Sequence, residues 1–516
     1  MMTFSTRRLM LIEPPFYRLY KDSFSLVKYP LAFGYLAGMV LRETDWDVQA
    51  YNADFSIRQN SLPSLEHMAG EGYRRYVRNL KDLSQPIWRE VETAIQSYAP
   101  SVVGISSKTQ NFASARHVAA IARRLFPDAV IVLGGPHASM AGHEALSSSP
   151  DFDIAAIGEG ELTLVELLKA LESGAELKDV NGLLIRQPDG RIHATPPRAY
   201  IENLDLLPFP HESAARCLKD FEHYPLGAFK FVFATRGCPY SCQFCGSRNI
   251  WTRKVRYRSA ENVALEMHKL WKLGLRSAHF DDDTFGVAKK HIHALCNAMR
   301  STVPGMTWSC ETTVNVLDEE VVADMRSAGC IDVQIGVESG SNAMLKTIRK
   351  NITIEKAHDA AKVLRNHGIR VQTFFIAGFP DETEETLEET RRAIRSIASN
   401  NIIFSIYTPY PGTENYSICK ERGLIDDSYD VTLFNHQNPD NCFTSKIPPQ
   451  RFRRLVTDLM IEVDRINARK SLRARSYHLA RQAVAALRER GFAYTVGKSA
   501  SVIYRMARRR LAPGRH

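Results

Sequence analysis

Short apolar runs alternate with helix-period stretches along most of this chain. Leu9–Ile12, Val48–Tyr51, Val102–Ser106, Ile131–Leu133 and Ile154–Ile157 are brief runs closed by small or polar residues. Ala115–Leu125 and Leu162–Leu171 between them carry apolar positions at helical spacing. That rhythm predicts βαβ units and an open parallel sheet. Ligands of such sheets bind outside the carboxyl ends of the strands. Three segments fall there: Ser106-Ser107-Lys108-Thr109, Gly134-Gly135-Pro136-His137-Ala138-Ser139 and Gly158-Glu159-Gly160-Glu161-Leu162-Thr163. Gly182–Arg186 and Arg191–Ala194, joined through Pro188-Asp189-Gly190, predict a closing hairpin.

A proline-bearing connector, Leu206-Leu207-Pro208-Phe209-Pro210-His211, precedes a second β/α series. Its strands are predicted at Phe231–Thr235, Ser277–Phe280, Thr307–Cys310, Val333–Val337, Val371–Ile376 and Phe404–Thr408, with helices at Ala260–Leu273, Ile354–His367 and Glu384–Ala398. Six repeats are too few to close an eight-stranded barrel, so an open (β/α)6 barrel is expected, with its site at the strand C-termini. Helix-period positions return at Arg454–Arg465 and Leu479–Arg488. The fold class is therefore α/β: a Rossmann-like parallel sheet domain over 1–195, a linker over 196–227, a partial barrel over 228–430 and a basic helical region over 431–516.

The chain has 516 residues, 44% apolar and 24% charged, as expected of a globular protein of two or three domains. No apolar run approaches the roughly 20 residues that span a bilayer, and the run after Arg7-Arg8 stops at Glu13, short of a signal segment. Nine cysteines in a chain this long do not make a disulfide framework, so a reducing cytoplasm is the expected compartment. Residues 451–516 hold 17 Lys and Arg against 4 Asp and Glu, leaving 50 against 53 in the preceding 450. The basicity thus belongs to the tail. A solvated helical face is the first reading of that tail. An interfacial helix, with Val502, Ile503, Tyr504 and Met506 beside Arg505 and Arg508–Arg510, is a weaker one and would bring peripheral membrane contact. Nucleic acid is a poor partner because no recognisable binding module accompanies the charge.

The candidate chemistry lies in Arg236-Gly237-Cys238-Pro239-Tyr240-Ser241-Cys242-Gln243-Phe244-Cys245. Three thiolates at C-x3-C-x2-C spacing can hold three irons of a cubane cluster and leave the fourth open. Zinc would need a fourth ligand, for which His211 or Cys217 would have to return. Asp281-Asp282-Asp283-Thr284 ends the second barrel strand, where the residues read either as ligand-binding carboxylates or as helix caps. Glu338, in Gly336-Val337-Glu338-Ser339-Gly340, ends the fourth strand, and Gly378-Phe379-Pro380 and Pro409-Tyr410-Pro411-Gly412-Thr413 follow the fifth and sixth.

At these residues the chain resembles the radical SAM superfamily, whose loop reads C-x3-C-x-aromatic-C, with Phe244 in the aromatic slot. The resemblance implies a 4Fe-4S cluster on Cys238, Cys242 and Cys245. Its open iron would chelate S-adenosylmethionine, and reduction would yield a 5′-deoxyadenosyl radical that abstracts a substrate hydrogen. It assigns Asp282 or Asp283 to the SAM ammonium, Thr284 to capping, Glu338 to the ribose hydroxyls, and Gly378 and Pro380 to the adenine side. No catalytic residue beyond the cofactor ligands is implied.

The N-terminal part resembles the cobalamin-binding domains that precede some radical SAM barrels, on Tyr29-Pro30-Leu31-Ala32-Phe33-Gly34-Tyr35-Leu36-Ala37 and the Gly134–Ser139 and Gly158–Glu161 segments. The implied contacts are Ser106, Thr109, Gly134, Gly135, His137, Gly158 and Glu159. The D-x-H-x-x-G motif that supplies a lower-face histidine in many corrinoid proteins is absent, and His137, although in the right loop, reads first as a surface or capping histidine.

The implied function is a cobalamin-dependent radical SAM enzyme, first a methyltransferase at an unactivated carbon or phosphorus. The alternatives are cyclisation, rearrangement or oxidation in tetrapyrrole, lipid or natural-product pathways, and a cobalamin-free radical SAM enzyme. The expected partners are a small-molecule or natural-product substrate and an external electron donor of flavodoxin or ferredoxin type. RNA methylthiolation is disfavoured because Cys217 is the sole cysteine before Cys238.

Overall fold

The computed structural model describes residues 6–57, 68 and 70–490, with side chains to Ser471. The interfacial-helix reading at 502–510 falls outside the described residues. The first sheet contains β1 (Arg8–Glu13), β2 (Asp47–Asn52), β3 (Val102–Ser106), β4 (Val130–Gly134), β5 (Ile154–Ala156), β6 (Leu183–Arg186) and β7 (Ile192–Ala194), in the order β2-β1-β3-β4-β5-β6-β7. The first five strands run parallel, and β6 and β7 add an antiparallel hairpin. Leu9 to Ile12 are all buried because alternate side chains pack on opposite faces: Leu9 and Leu11 on one core, Met10 and Ile12 on another with Trp88 and Phe112. The order reverses direction between β1 and β3, which opens the crevice where such sheets bind ligands. Lys108 Nζ and Glu13 Oε1 sit 2.9 Å apart at that point.

The second unit contains β8 (Phe231–Val232), β9 (Thr235–Arg236), β10 (Arg256–Tyr257), β11 (Ser277–Phe280), β12 (Thr307–Thr312), β13 (Cys330–Glu338), β14 (Arg370–Ala377) and β15 (Asn401–Ile406). Six of these form one open parallel sheet in the order β8-β11-β12-β13-β14-β15, while β9 and β10 pair as a short antiparallel ribbon around the cysteine loop. The first expected strand, Phe231–Thr235, is thus divided between sheet and ribbon. An amide ladder crosses the barrel: Gln372 donates to Gln334 at 2.9 Å, and Asn401 donates to Gln372 at 2.8 Å.

The barrel does not close, so β15 presents an open edge. The helix Pro449–Arg490 covers it, burying Phe452, Val456, Leu459 and Val463 at helical spacing. Asn467 on that helix accepts from the amide of Ile402 at 3.0 Å and donates to its carbonyl at 2.8 Å, satisfying edge groups that would otherwise stay unpaired. The helical C-terminal region begins only at Pro449. Residues 434–448 are irregular and pack back on the N-terminal domain, where Asn435 donates to the Met68 carbonyl at 3.0 Å.

The segment expected as a linker is packed rather than loose. Helix Pro210–Cys217 lies on helix Leu31–Glu43, with Pro210 against Gly34 and Pro208 against Gly38 so closely that a Cβ on either glycine would collide. One hydrophobic core runs from Leu9 and Tyr29 through Phe229 and Phe280 to Val463, joining both units.

Candidate active site

The cysteine loop leaves β9 and is wedged among the ends of four barrel strands. Cys238 Sγ lies 3.4 Å from Thr284 Oγ1 beyond β11. The amide of Gln243 donates to the Ile348 carbonyl at 3.1 Å, and the carbonyl of Gln243 accepts from the Asn415 amide at 3.1 Å. The Phe244 and Phe379 rings are 5.4 Å apart, and Phe379 packs in turn on Tyr407. Gly237 adopts φ +102° and runs against the Lys254 carbonyl, where a side chain would not fit. The three thiols are half-buried and none is in a disulfide. Burial pushes the Cys245 thiol up to about 12 and raises Cys242, where the nearby Lys350 cation opposes it.

Glu338 ends β13 in the left-handed region, at φ +68°, a strained conformation for a glutamate. Its carboxylate meets Lys350 Nζ at 2.6 Å, and the pair fills the space over Gly336, where any Cβ would collide with both. Arg349 and Asn351, on either side of Lys350, also have positive φ. Burial lowers the Lys350 pKa, but Glu338 and Cys242 outweigh it and hold the amine above its ordinary value. Sequence reasoning missed Lys350, which sits in an aperiodic bend with no motif around it.

The three aspartates divide their work. Asp282 is buried and its carboxylate is occupied: it accepts from the Ala234 amide at 2.8 Å and from Thr235 Oγ1 at 2.9 Å. Burial pushes it up to about 7. It braces the start of the cysteine loop, with both carboxylate oxygens taken by protein donors. Asp283 keeps solvent access although protein crowds around it, and that crowding raises it to about 6 against the opposing Ser247 and Gly237. Asp281 pairs with Lys28 of the N-terminal domain at 2.9 Å. Thr284 caps no helix, since the next begins at Lys289; its hydroxyl faces Cys238.

Gly378 and Pro380 lie beneath the site rather than open to it. The amide of Gly378 donates to Glu382 at 2.7 Å and its Cα faces Phe452, while the Pro380 carbonyl accepts from the Ser445 amide at 3.2 Å. Phe379 between them is the residue that reaches the cysteine loop. His211 stands 4.0 Å from Glu266, and Cys217 is buried against the Tyr29 hydroxyl, so among the described residues neither completes a zinc site with the three thiols. Among the described residues no three His, Cys, Asp or Glu side chains converge on a single-ion site. A cavity of about 380 Å³ between Gly340, His358 and Arg392 on the outer barrel face shares no residue with this site.

Across the mouth stand the strand ends of the first sheet. A Cβ on Gly134 or Gly158 would meet nothing within 4 Å, so the space directly over both glycines is open. Gly135 has φ +88° and packs on Ser106 and Ser107. His137 is buried, not a surface residue: its Nδ1 is 3.3 Å from Thr109 Oγ1 and its ring is 4.0 Å from Phe112. Burial, with Arg116 in support, pushes it down to about 4. Glu159 departs from expectation. Its carboxylate is 1% exposed and held by Arg236 at 2.7 Å and Arg256 at 2.8 Å, which together outweigh burial and keep it below its ordinary pKa. The side chain belongs to the junction between the units and does not face the open loops.

Two family models match the two halves: a B12 binding domain over residues 17–168 and the radical SAM superfamily over 232–394. An uncharacterized methyltransferase of Pyrococcus horikoshii is 30% identical over 421 residues, covering 81% of this chain and 84% of its own. The chain belongs to the cobalamin-binding radical SAM enzymes. An anaerobic magnesium-protoporphyrin IX monomethyl ester cyclase of Rubrivivax gelatinosus is 30% identical over 371 residues, 69% of this chain and 64% of the cyclase. The solved radical SAM methyltransferase TsrM of Kitasatospora setae, with cobalamin and a [4Fe-4S] cluster bound, shares the fold at TM-score 0.66 and 17% identity, covering 88% of this chain and 89% of TsrM.

The cofactors of this radical SAM enzyme are therefore a [4Fe-4S] cluster, S-adenosylmethionine and cobalamin. The residues present fit them: three half-buried thiols with a cation beside them, an accessible carboxylate at Asp283, and two loops open above Gly134 and Gly158. Among the described residues no helix is long and apolar enough to cross a membrane.

Proposed function

We propose that this enzyme moves a methyl group from S-adenosylmethionine to a small molecule, at a carbon or phosphorus centre that ionic chemistry does not activate. The methyltransferase relative that spans most of both chains supports this reading. The observation that carries it is the facing of two sets of strand ends, joined at the mouth by Lys28 and Asp281 at 2.9 Å and by Gln110 and Tyr410 at 3.0 Å.

Cys238, Cys242 and Cys245 would each hold one iron. Asp283 would take the ammonium of SAM and Glu338 the ribose hydroxyls, with Phe244 and Phe379 closing the adenine side. Gly378 and Pro380 would hold Phe379 in place. Ser106, Gly134, Gly135 and Gly158 would line the cobalamin, with the buried Thr109 and His137 behind them. When bound, these cofactors supply reductive cleavage of the sulfonium and a cobalt that carries methyl. The protein then orients and excludes water: Lys350 offsets thiolate charge, and the Phe244–Phe379–Tyr407 stack shields the loop. The electron would come from an external flavodoxin- or ferredoxin-type donor.

The test is anaerobic reconstitution with iron, sulfide and hydroxocobalamin, followed by turnover with methyl-labelled SAM and candidate substrates. Label in the product together with 5′-deoxyadenosine supports methyl transfer. 5′-Deoxyadenosine with an unlabelled, altered product supports the second reading, cyclisation, which the Rubrivivax relative favours.

A further inference from the structure

The N-terminal domain grips the cysteine loop at both ends. Ahead of Cys238, the Arg236 guanidinium lies 2.7 Å from Glu159 and 2.5 Å from Glu161. Arg256, paired with Arg236 across the ribbon, lies 2.8 Å from the other oxygen of Glu159. All four side chains are 7% exposed or less. Aromatic rings enclose them: Tyr35 and Trp251 on Arg236, Tyr200 on Arg256. Two carboxylates meet two guanidiniums, so the charges of the set balance, while Arg256 Nη2 stays buried without a hydrogen-bond partner.

After Cys245, Gly246 runs so close to Met140 that a Cβ would strike its sulfur, and Gly412 meets the Met140 carbonyl in the same way. Met140 lies on the helix that starts beyond Gly134 and Gly135, and Glu159 follows Gly158 directly, with Glu161 two residues further on. The two loops left open for the corrinoid are therefore the same two that hold the cysteine loop.

We infer that Glu159 is a positioning residue: with Met140 it fixes the loop of Cys238, Cys242 and Cys245 to the cobalamin-bearing edge, and so sets the separation of cluster and corrinoid. Directional guanidinium–carboxylate bonds suit this task better than apolar contact, because they hold one register. A misplacement of about 1 Å between reacting centres can lower a rate about 100-fold. The inference rests on the assignment of the three cysteines as cluster ligands.

Glu159→Gln and Met140→Ala, made in the full-length protein loaded with cluster and cobalamin, test it. The readouts are hydrogen exchange of the amides 236–246 and the cluster-to-cobalt distance distribution by pulsed electron paramagnetic resonance. Both variants should retain wild-type iron and cobalamin content. Exchange should rise at least tenfold in Glu159→Gln and less in Met140→Ala, with a broadened distance distribution in each. If Glu159→Gln does not fold, Arg256→Lys keeps the charge, loses the planar fork and should show the same faster exchange. Unchanged exchange and distance in loaded variants overturn the clamp alone. A wild-type protein that assembles no iron–sulfur cluster overturns the cysteine assignment instead.

Discussion

Lys350 Nζ lies 2.6 Å from Glu338 Oε1, and this pair stands beside Cys242 at the end of the fourth barrel strand. The lysine is 18% exposed and the glutamate 8%, so neither charge has much water to fall back on. Removing one partner of a buried pair costs about 3–5 kcal/mol. Lys350→Gln should therefore lower the stability of the cluster-free protein by about 3 kcal/mol, seen as a lower urea midpoint. The double variant Lys350→Gln with Glu338→Gln should lose less than the sum of Lys350→Gln and Glu338→Gln made singly, because it strands no charge. An additive double variant would show that the two side chains act independently.

Each of Cys238→Ala, Cys242→Ala and Cys245→Ala should abolish 5′-deoxyadenosine formation. Cobalamin binding, followed by its visible absorbance, should persist in all three, because the first sheet has a core face of its own around Trp88, Phe112 and Leu133. Deoxyadenosine from any of the three would contradict the ligand assignment.

Asp282 and Asp283 are neighbours with different expected outcomes. Asp283→Asn should weaken SAM binding to the clustered protein at least tenfold, about 1.4 kcal/mol, with iron content unchanged. Asp282→Asn should leave SAM affinity within about threefold, under about 1 kcal/mol, since its carboxylate is spent on Ala234 and Thr235. Equilibrium titration with SAM separates the two.

The same Asp282 gives a pH signature. Burial holds it near 7 in the fold, against an ordinary value of 3.8. Below about pH 4 folded and unfolded chains both carry the proton, and no penalty exists. Between about 4 and 7 the unfolded chain releases the proton while the folded one keeps it, so this group makes stability fall as pH rises. Above 7 the penalty is complete. The stability advantage of Asp282→Asn over wild type should thus grow from pH 4 to 7 and then level, by at most about 1.4 kcal/mol per pH unit. Urea midpoints of cluster-free protein across that range measure it; a pH-independent difference would show that Asp282 does not titrate there.

What the sequence revealed was local. The strand Val102–Ser106 and the helix Ile354–Asn366 carry their own periodicity and closing residues, and both lie where pattern alone puts them. The helix Leu31–Glu43 was hidden by Gly34 and Gly38, which weaken helix propensity yet are required where Pro210 and Pro208 press against it. The sequence offers Asp282 and Asp283 as equal candidates for one ligand, whereas the fold turns Asp282 inward and leaves Asp283 accessible. Residues that act by meeting distant partners left no trace: Arg236 finds Glu159 from 77 positions away. Lys350 reaches Glu338 through a bend whose flanking residues adopt left-handed conformations that no repeat announces.

The central claim is that three cysteines hold the cluster and leave one iron for S-adenosylmethionine. Mössbauer spectroscopy of the iron-57 protein, reconstituted without oxygen and measured before and after SAM is added, addresses it directly. One iron in four should change its isomer shift on SAM binding while the other three hold theirs. Four equivalent irons that ignore SAM, or zinc in place of iron, would contradict the account.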